Sequence, residues 1–137
     1  MSRPVALIGA STLMVVSSIV AGCALRKHAQ ERREANYQSA LRSYSEVIKP
    51  GMTRKEVEDY FKGKNSQFRQ MCCVGDERTA FSDLVWIAKE HGPWYCESHE
   101  VFVAFQFSSA EPHKLAETHD SDILREITIF HWLQGCP

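Results

Sequence analysis

Lys49-Pro-Gly-Met-Thr-Arg-Lys-Glu-Val-Glu-Asp-Tyr-Phe-Lys-Gly63 is the stretch on which the fold turns. Pro50-Gly51 stops any helix that precedes it, because proline has no N–H to donate and glycine adopts backbone angles other residues avoid. Thr53 then stands where a side-chain oxygen can cap the free amides of a new helix. Glu56, three residues on, completes a capping box, and Met52 can staple onto Val57. Val57, Tyr60 and Phe61 make one apolar stripe, and Gly63 lies where a stop is expected. The spacing predicts a short helix from about Arg54 to Lys62.

Upstream, Tyr37, Leu41, Tyr44, Val47 and Ile48 recur at helical spacing, so Ala35 to Lys49 reads as an amphipathic helix. Downstream the period changes from helical to alternating. Gln67 to Val74, Leu84 to Ala88, Val101 to Phe107 and Ile123 to Leu133 read as strands. In the third, Val101, Val103, Phe105 and Phe107 share one face; in the last, Ile127 and Ile129 do. Gly92-Pro93 and Ser108 to Asp122 read as loops. Two N-terminal helices packed on one face of a three- or four-stranded antiparallel sheet, an α+β fold, is the architecture this order predicts.

The whole chain has 137 residues, room for one ordinary domain. Sixteen Lys plus Arg against seventeen Asp plus Glu leave a net charge of -1. A nucleic-acid binder needs a basic face to neutralise phosphates, and that balance argues against one. Nucleotide-binding loops and metalloprotease helices are absent from the sequence. An acid and base suited to catalysis do not pair up either, so no enzyme, no cofactor and no resident metal are expected. Glu111, Glu117, Asp120 and Asp122 read as a solvated acidic loop.

The first segment reads as an address. Arg3 is followed by an apolar run from Val5 to Gly22, which ends in small residues before Cys23. A basic start, an apolar stretch and a small-residue end describe a signal peptide. Val20-Ala21-Gly22-Cys23 resembles, at all four positions, the lipobox of bacterial lipoprotein precursors. The resemblance implies that the Cys23 thiol is lipidated, that the bond before it is cleaved, and that the new terminus is acylated with a palmitate-class chain. Residues 1–22 are then a signal peptide, residues 23–36 the lipidated cysteine and a polar tether, and residues 37–137 the folded domain. Ala24, rather than Asp, implies an outer-membrane destination, with the domain facing the periplasm. The competing reading is an uncleaved signal anchor.

Lys49-Pro-Gly-Met-Thr-Arg-Lys-Glu-Val57 is similar to the helix-turn-helix opening of the SmpA/OmlA family of small outer-membrane lipoproteins, whose layout β-lactamase-inhibitor-like domains share. That resemblance implies a lipid-anchored periplasmic protein-binding or scaffold domain in outer-membrane or envelope assembly. The alternative on the same fold is an inhibitor or immunity lipoprotein that binds a periplasmic enzyme.

With Cys23 spent on lipid, Cys72, Cys73, Cys96 and Cys136 remain, an even number that suggests disulfides in an exported domain. Bonding adjacent Cys72 and Cys73 would force a strained ring, and neighbouring strand residues face opposite ways. One is therefore expected to take Cys96 and the other Cys136, with Cys73–Cys96 and Cys72–Cys136 preferred over the swapped pairing. The alternative use of these thiols is a metal site around Cys96-Glu-Ser-His99 with Cys72 or Cys73, which an oxidising compartment disfavours. Finally, Phe102 points away from the helices, and Trp86, Phe130 and Trp132 can join it. That second sheet face is either covered by the 108–122 loop or left as an aromatic interface for a protein partner.

Overall fold

The computed structural model describes residues 5–72, 74, 81–109 and 117–136, with side chains described from residue 20 onward. Cys73, Glu111 and the middle of the expected 108–122 loop lie outside the described residues. The chain divides into two compact units, Met1–Asn36 and Tyr37–Pro137.

In the first unit the described backbone is helical and belongs to α1 (Val5–Ser45). Residues 24–36, expected as a tether, are thus helical throughout. The run is rich in Ala, Leu, Arg, Lys, Gln and Glu, all good helix formers, and Lys27 pairs with Glu31 one turn on at 3.9 Å. Among the described residues, no helix is long and apolar enough to cross a membrane.

The second unit holds the last residues of α1, α2 (Arg54–Gly63), β1 (Arg69–Met71), β2 (Ser82–Glu90), β3 (Ser98–Ser108) and β4 (Ile123–Gln134). The four strands form an open antiparallel sheet in the order β1-β2-β3-β4. The fold is α+β. The opening of α2 forms as its chemistry dictates. The Thr53 side chain accepts from the Glu56 amide, and the Thr53 amide donates to Glu56 Oε2 at 2.8 Å. That hydrogen bond to the ionised form holds the Glu56 carboxyl below the usual range. The remaining free amides find tertiary partners: Arg54 N donates to Asp122 O at 2.7 Å and Lys55 N to Asp120 O at 3.2 Å. Gly51, at φ 97, turns the chain so that its amide reaches Leu124 O.

Two endings differ from expectation. Helix α1 stops at Ser45 rather than Lys49, so Val47 falls out of phase and is exposed while Ile48 is buried. The left-handed residue after α2 is Asn65, at φ 54, rather than Gly63. Asparagine tolerates that region best among residues with a side chain.

One buried cluster joins Ile48, Val57 and Phe61 to Val85, Val103, Phe105, Phe107 and Leu124, with Ala40, Leu41, Tyr44 and Met52 against it. Phe105 is its hub: the Phe61 ring meets it edge-on at 4.9 Å and the Tyr44 ring at 5.5 Å. Such pairs add about 0.5–1.5 kcal/mol each beyond the area they bury. Two β-bulges settle which residues share this face. One between Gln106 and Phe107 in the β3–β4 ladder brings Leu124 onto the face of Ile127 and Ile129. The other lies in β2 between Trp86 and Ala88, where Ile87 is the extra residue. Each inserted residue shifts the alternation by one.

Candidate functional site

The opposite face of the sheet carries Leu84, Trp86, Phe102, Ala104, Phe130 and Trp132, as the register Trp86↔Phe102↔Phe130 requires. It is not an open aromatic surface. Phe102 is only 2% exposed, packed with Leu84, Ala104 and Val74, while Met71, Phe130 and Trp132 flank them. Val74, just beyond β1, lies over this face, and its carbonyl accepts from the Ser82 hydroxyl. Phe102 therefore belongs to a second small core rather than standing open on the sheet face as expected. Phe130 and Trp132 are half-buried, and the Arg69 guanidinium sits 5.5 Å over the Trp132 ring. Trp86, 55% exposed, is the residue of the expected four that stands in solvent.

A second exposed aromatic pair escaped the sequence reading. In the turn between β2 and β3, Trp94 is 94% exposed and its ring meets that of Tyr95 edge-on at 5.8 Å. The Gly92-Pro93 loop assignment pointed to the turn but not to what it displays. Beside the turn runs a groove of about 440 Å³ lined by Glu90, Trp94, Cys96 and Glu97 among others.

The cysteine pairing also differs from expectation. Cys96 is bonded to Cys136, with their Cα atoms 4.4 Å apart. Neither of the expected bridges, Cys73–Cys96 or Cys72–Cys136, is therefore present. The register explains it: Ser98 faces Gln134 at the ends of β3 and β4, and Glu97 N donates to Gln134 O at 2.9 Å. The residues just beyond that pair meet by the closing of the ladder. Cys72 is disulfide-bonded as well. It follows the last residue of β1, so the argument from alternating strand faces did not apply to it. Cys23 is exposed and unbonded.

Because Cys96 is in a disulfide, it offers no thiolate to the metal site weighed for Cys96 and His99. His99 instead meets two residues from neighbouring strands. Its Nε2 lies 3.0 Å from Nδ1 of His131, and its Nδ1 lies 3.4 Å from Oε2 of Glu90. From α1, the Tyr37 hydroxyl donates to the other oxygen of Glu90, and the Tyr37 ring stands edge-on to His131 at 6.0 Å. The bulge at Ile87 puts Glu90 on the same face as His99; without it, Glu90 would point to the far side.

A third constellation lies inside. Arg54 is fully buried, its Nη1 bonded to Asp83, its Nε to Asp122 at 3.1 Å, and its Nη2 to the Phe81 carbonyl. The guanidinium stacks 4.0 Å over the Phe107 ring. Asp122 was expected on a solvated acidic loop, but it is buried and accepts from both Arg54 and the His119 amide. With two carboxylates around one guanidinium, full ionisation would leave a buried negative charge. Burial pushes the Asp83 carboxyl up to about 7, and among the described residues its Oδ2 has no hydrogen-bond partner within normal geometry. Asp83 can therefore hold the proton that neutralises the group. This arrangement fixes the start of α2 on β2 and on the approach to β4. Its burial on every side marks it as structural.

No family model, curated protein or solved structure matches this chain.

Proposed function

We propose that the chain is a lipid-anchored protein of the bacterial envelope, held at Cys23, whose Tyr37–Pro137 unit binds a protein partner on the periplasmic side of the outer membrane. The observation that carries the reading is the division of labour among the cysteines. Cys96 and Cys136 are bonded to each other and Cys72 is also bonded, whereas Cys23, at the lipobox position, is exposed and unbonded. A disulfide-bearing domain fits an oxidising compartment. A free cysteine after small residues fits the chemistry of lipid transfer to a thiol. Several acyl chains give lasting attachment where one is marginal. The order of elements, two helices, the second opening on Thr53 and Glu56, and then an antiparallel meander, supports the SmpA/OmlA-like reading and, through it, a scaffold role in envelope assembly.

The test is Cys23→Ser, followed by fractionation and labelling with radioactive palmitate. The expected result is an unlabelled, uncleaved precursor in the inner membrane. A variant processed and labelled like the wild type refutes the anchor.

The exposed Trp94–Tyr95 pair favours a second reading, an inhibitor whose turn enters the cleft of a periplasmic enzyme. A projecting aromatic turn suits a concave partner better than a flat one.

A further inference from the structure

Glu90, His99 and His131 offer one carboxylate and two imidazoles, the donor set of many zinc sites, and their ligand atoms lie within 4.8 Å of one another. We propose that they form a binding site for a divalent transition-metal ion of the zinc class, with three protein ligands and a fourth position open on the side of the exposed His131. Four features of the structure lead there.

The three residues come from three neighbouring strands, so the donors converge by sheet register and do not depend on a mobile loop. In a tetrahedral site with bonds near 2.0–2.1 Å, donors stand about 3.3 Å apart. The His99–His131 contact of 3.0 Å, through Nε2 of His99, is close to that spacing, whereas the 3.4 Å contact to Glu90 is through Nδ1 of the same ring, and only one of these nitrogens can face the ion. Taking one donor atom from each residue, the three lie within 4.8 Å of one another, and rotation of the Glu90 and histidine side chains would aim them at one point.

The supporting groups are also in place. Tyr37 is buried and donates to one oxygen of Glu90, which orients the carboxylate and leaves the other oxygen directed at His99. Outer partners of this kind hold ligands in position and raise affinity. The Cys96–Cys136 bond ties the start of β3 to the end of β4, three residues before His99 and five after His131. It limits the movement of both histidine-bearing strand ends.

The donor chemistry selects the ion. Neutral imidazole suits zinc, copper and nickel, while calcium and magnesium demand oxygen ligands. With Cys96 oxidised, softer thiolate coordination is not offered by this end of the sheet. Three protein ligands leave a position for water or for a side chain from a partner, an arrangement that closed structural sites lack.

The test is calorimetric titration of zinc sulfate into the metal-stripped full-length protein, with calcium and magnesium chloride as comparison ions. One equivalent of zinc should bind, the comparison ions should not, and zinc should raise the unfolding midpoint. His99→Gln and His131→Gln should each weaken zinc binding by more than about tenfold, as should the near-isosteric Glu90→Gln. Tyr37→Phe, a change in a positioning residue, should weaken it by about tenfold. His28→Gln, a change in a histidine that is not among the three ligands, should leave it unchanged. Circular dichroism melts without metal show which variants fold, and Glu90→Gln keeps the test decisive if a histidine variant does not. Cobalt substitution adds a spectroscopic check: a visible absorption band of tetrahedral cobalt should appear in the wild type and vanish in Glu90→Gln. Absence of zinc binding, or binding that survives Glu90→Gln and His131→Gln unchanged, overturns the proposal.

Discussion

Asp83 gives the domain a pH dependence that can be worked out in advance. Its carboxyl titrates at about 7 in the folded chain, displaced from 3.8 chiefly by burial, while Arg54 opposes the shift and Glu58 adds to it. Between those two values the native state keeps a proton that the unfolded chain has released. The stabilisation from this group is therefore complete below about pH 4 and is lost as the pH rises through 7. A displacement of roughly three pH units, at about 1.4 kcal/mol each, makes the whole swing about 4 kcal/mol. About two of those units lie above pH 5, so roughly 3 kcal/mol should disappear between pH 5 and pH 8. Asp83→Asn keeps the shape and cannot ionise, so it removes this slope. Urea unfolding of wild type and variant at pH 5, 6, 7 and 8 measures it. The wild type should lose roughly 3 kcal/mol relative to the variant across that range. Two curves that stay parallel from pH 5 to pH 8 would show that Asp83 does not carry the proton, and the account of the Arg54 cluster would fail with it.

Thr53→Ala removes the oxygen that caps α2 while the tertiary bonds from Arg54 N and Lys55 N remain, so unfolding free energy should fall by about 1 kcal/mol. An unchanged denaturation midpoint would mean that those tertiary bonds hold the helix start without it. Replacing Cys96 and Cys136 together by Ala opens a loop with a sequence separation of 40 and should cost about 4 kcal/mol on chain-entropy grounds. Membrane fractionation of the same variant should show attachment intact, since the proposed anchor rests on Cys23 alone; release from the membrane would count against that separation.

Local chemistry was legible in this sequence, and it reached furthest where one segment decides its own conformation. The capping box at Thr53 and Glu56, the staple of Met52 and the stripe of Val57 and Phe61 need only a few consecutive residues, and each took the form its spacing implies. The alternation of Val101, Val103, Phe105 and Phe107 likewise marked the central strand. What stayed hidden depends on pairs of residues far apart in the chain. Arg54 read as an ordinary polar residue of a short helix, because nothing nearby reveals that Asp83 and Asp122 close around it. Phe102 was correctly placed on the second face, yet its burial depends on Val74, which no periodicity connects to it. Cys96 and Cys136 meet because β3 and β4 are in register to their ends.

The bulge at Ile87 shows why the candidate metal cluster in particular lay beyond a reading by periodicity. Strict alternation from Val85 assigns Ile87 and Lys89 to the helix-facing side and sends Glu90 to the other. Insertion of one residue reverses that assignment for the rest of β2, so Ala88 faces Val101 and Glu90 faces His99. A bulge has no firm signature in a strand such as Leu84-Val-Trp-Ile-Ala-Lys-Glu90, where residues of both phases are apolar. The same one-residue shift does two things at once. It lets Trp86 remain beside Phe102 on the second face, and it turns a charged strand end inward toward Tyr37. A glutamate placed there at some cost in desolvation is stabilised by a tyrosine hydroxyl and a histidine, and those partners leave it poised to accept a cation. Inserting one alanine between Ala88 and Lys89 should therefore turn Glu90 away from the histidines and abolish zinc binding while leaving His99 and His131 in register across β3 and β4, whereas deleting Ile87 keeps Glu90 opposite His99 and should preserve binding. If zinc affinity persists after that insertion in a folded protein, the carboxylate is not a ligand and the two histidines alone account for binding.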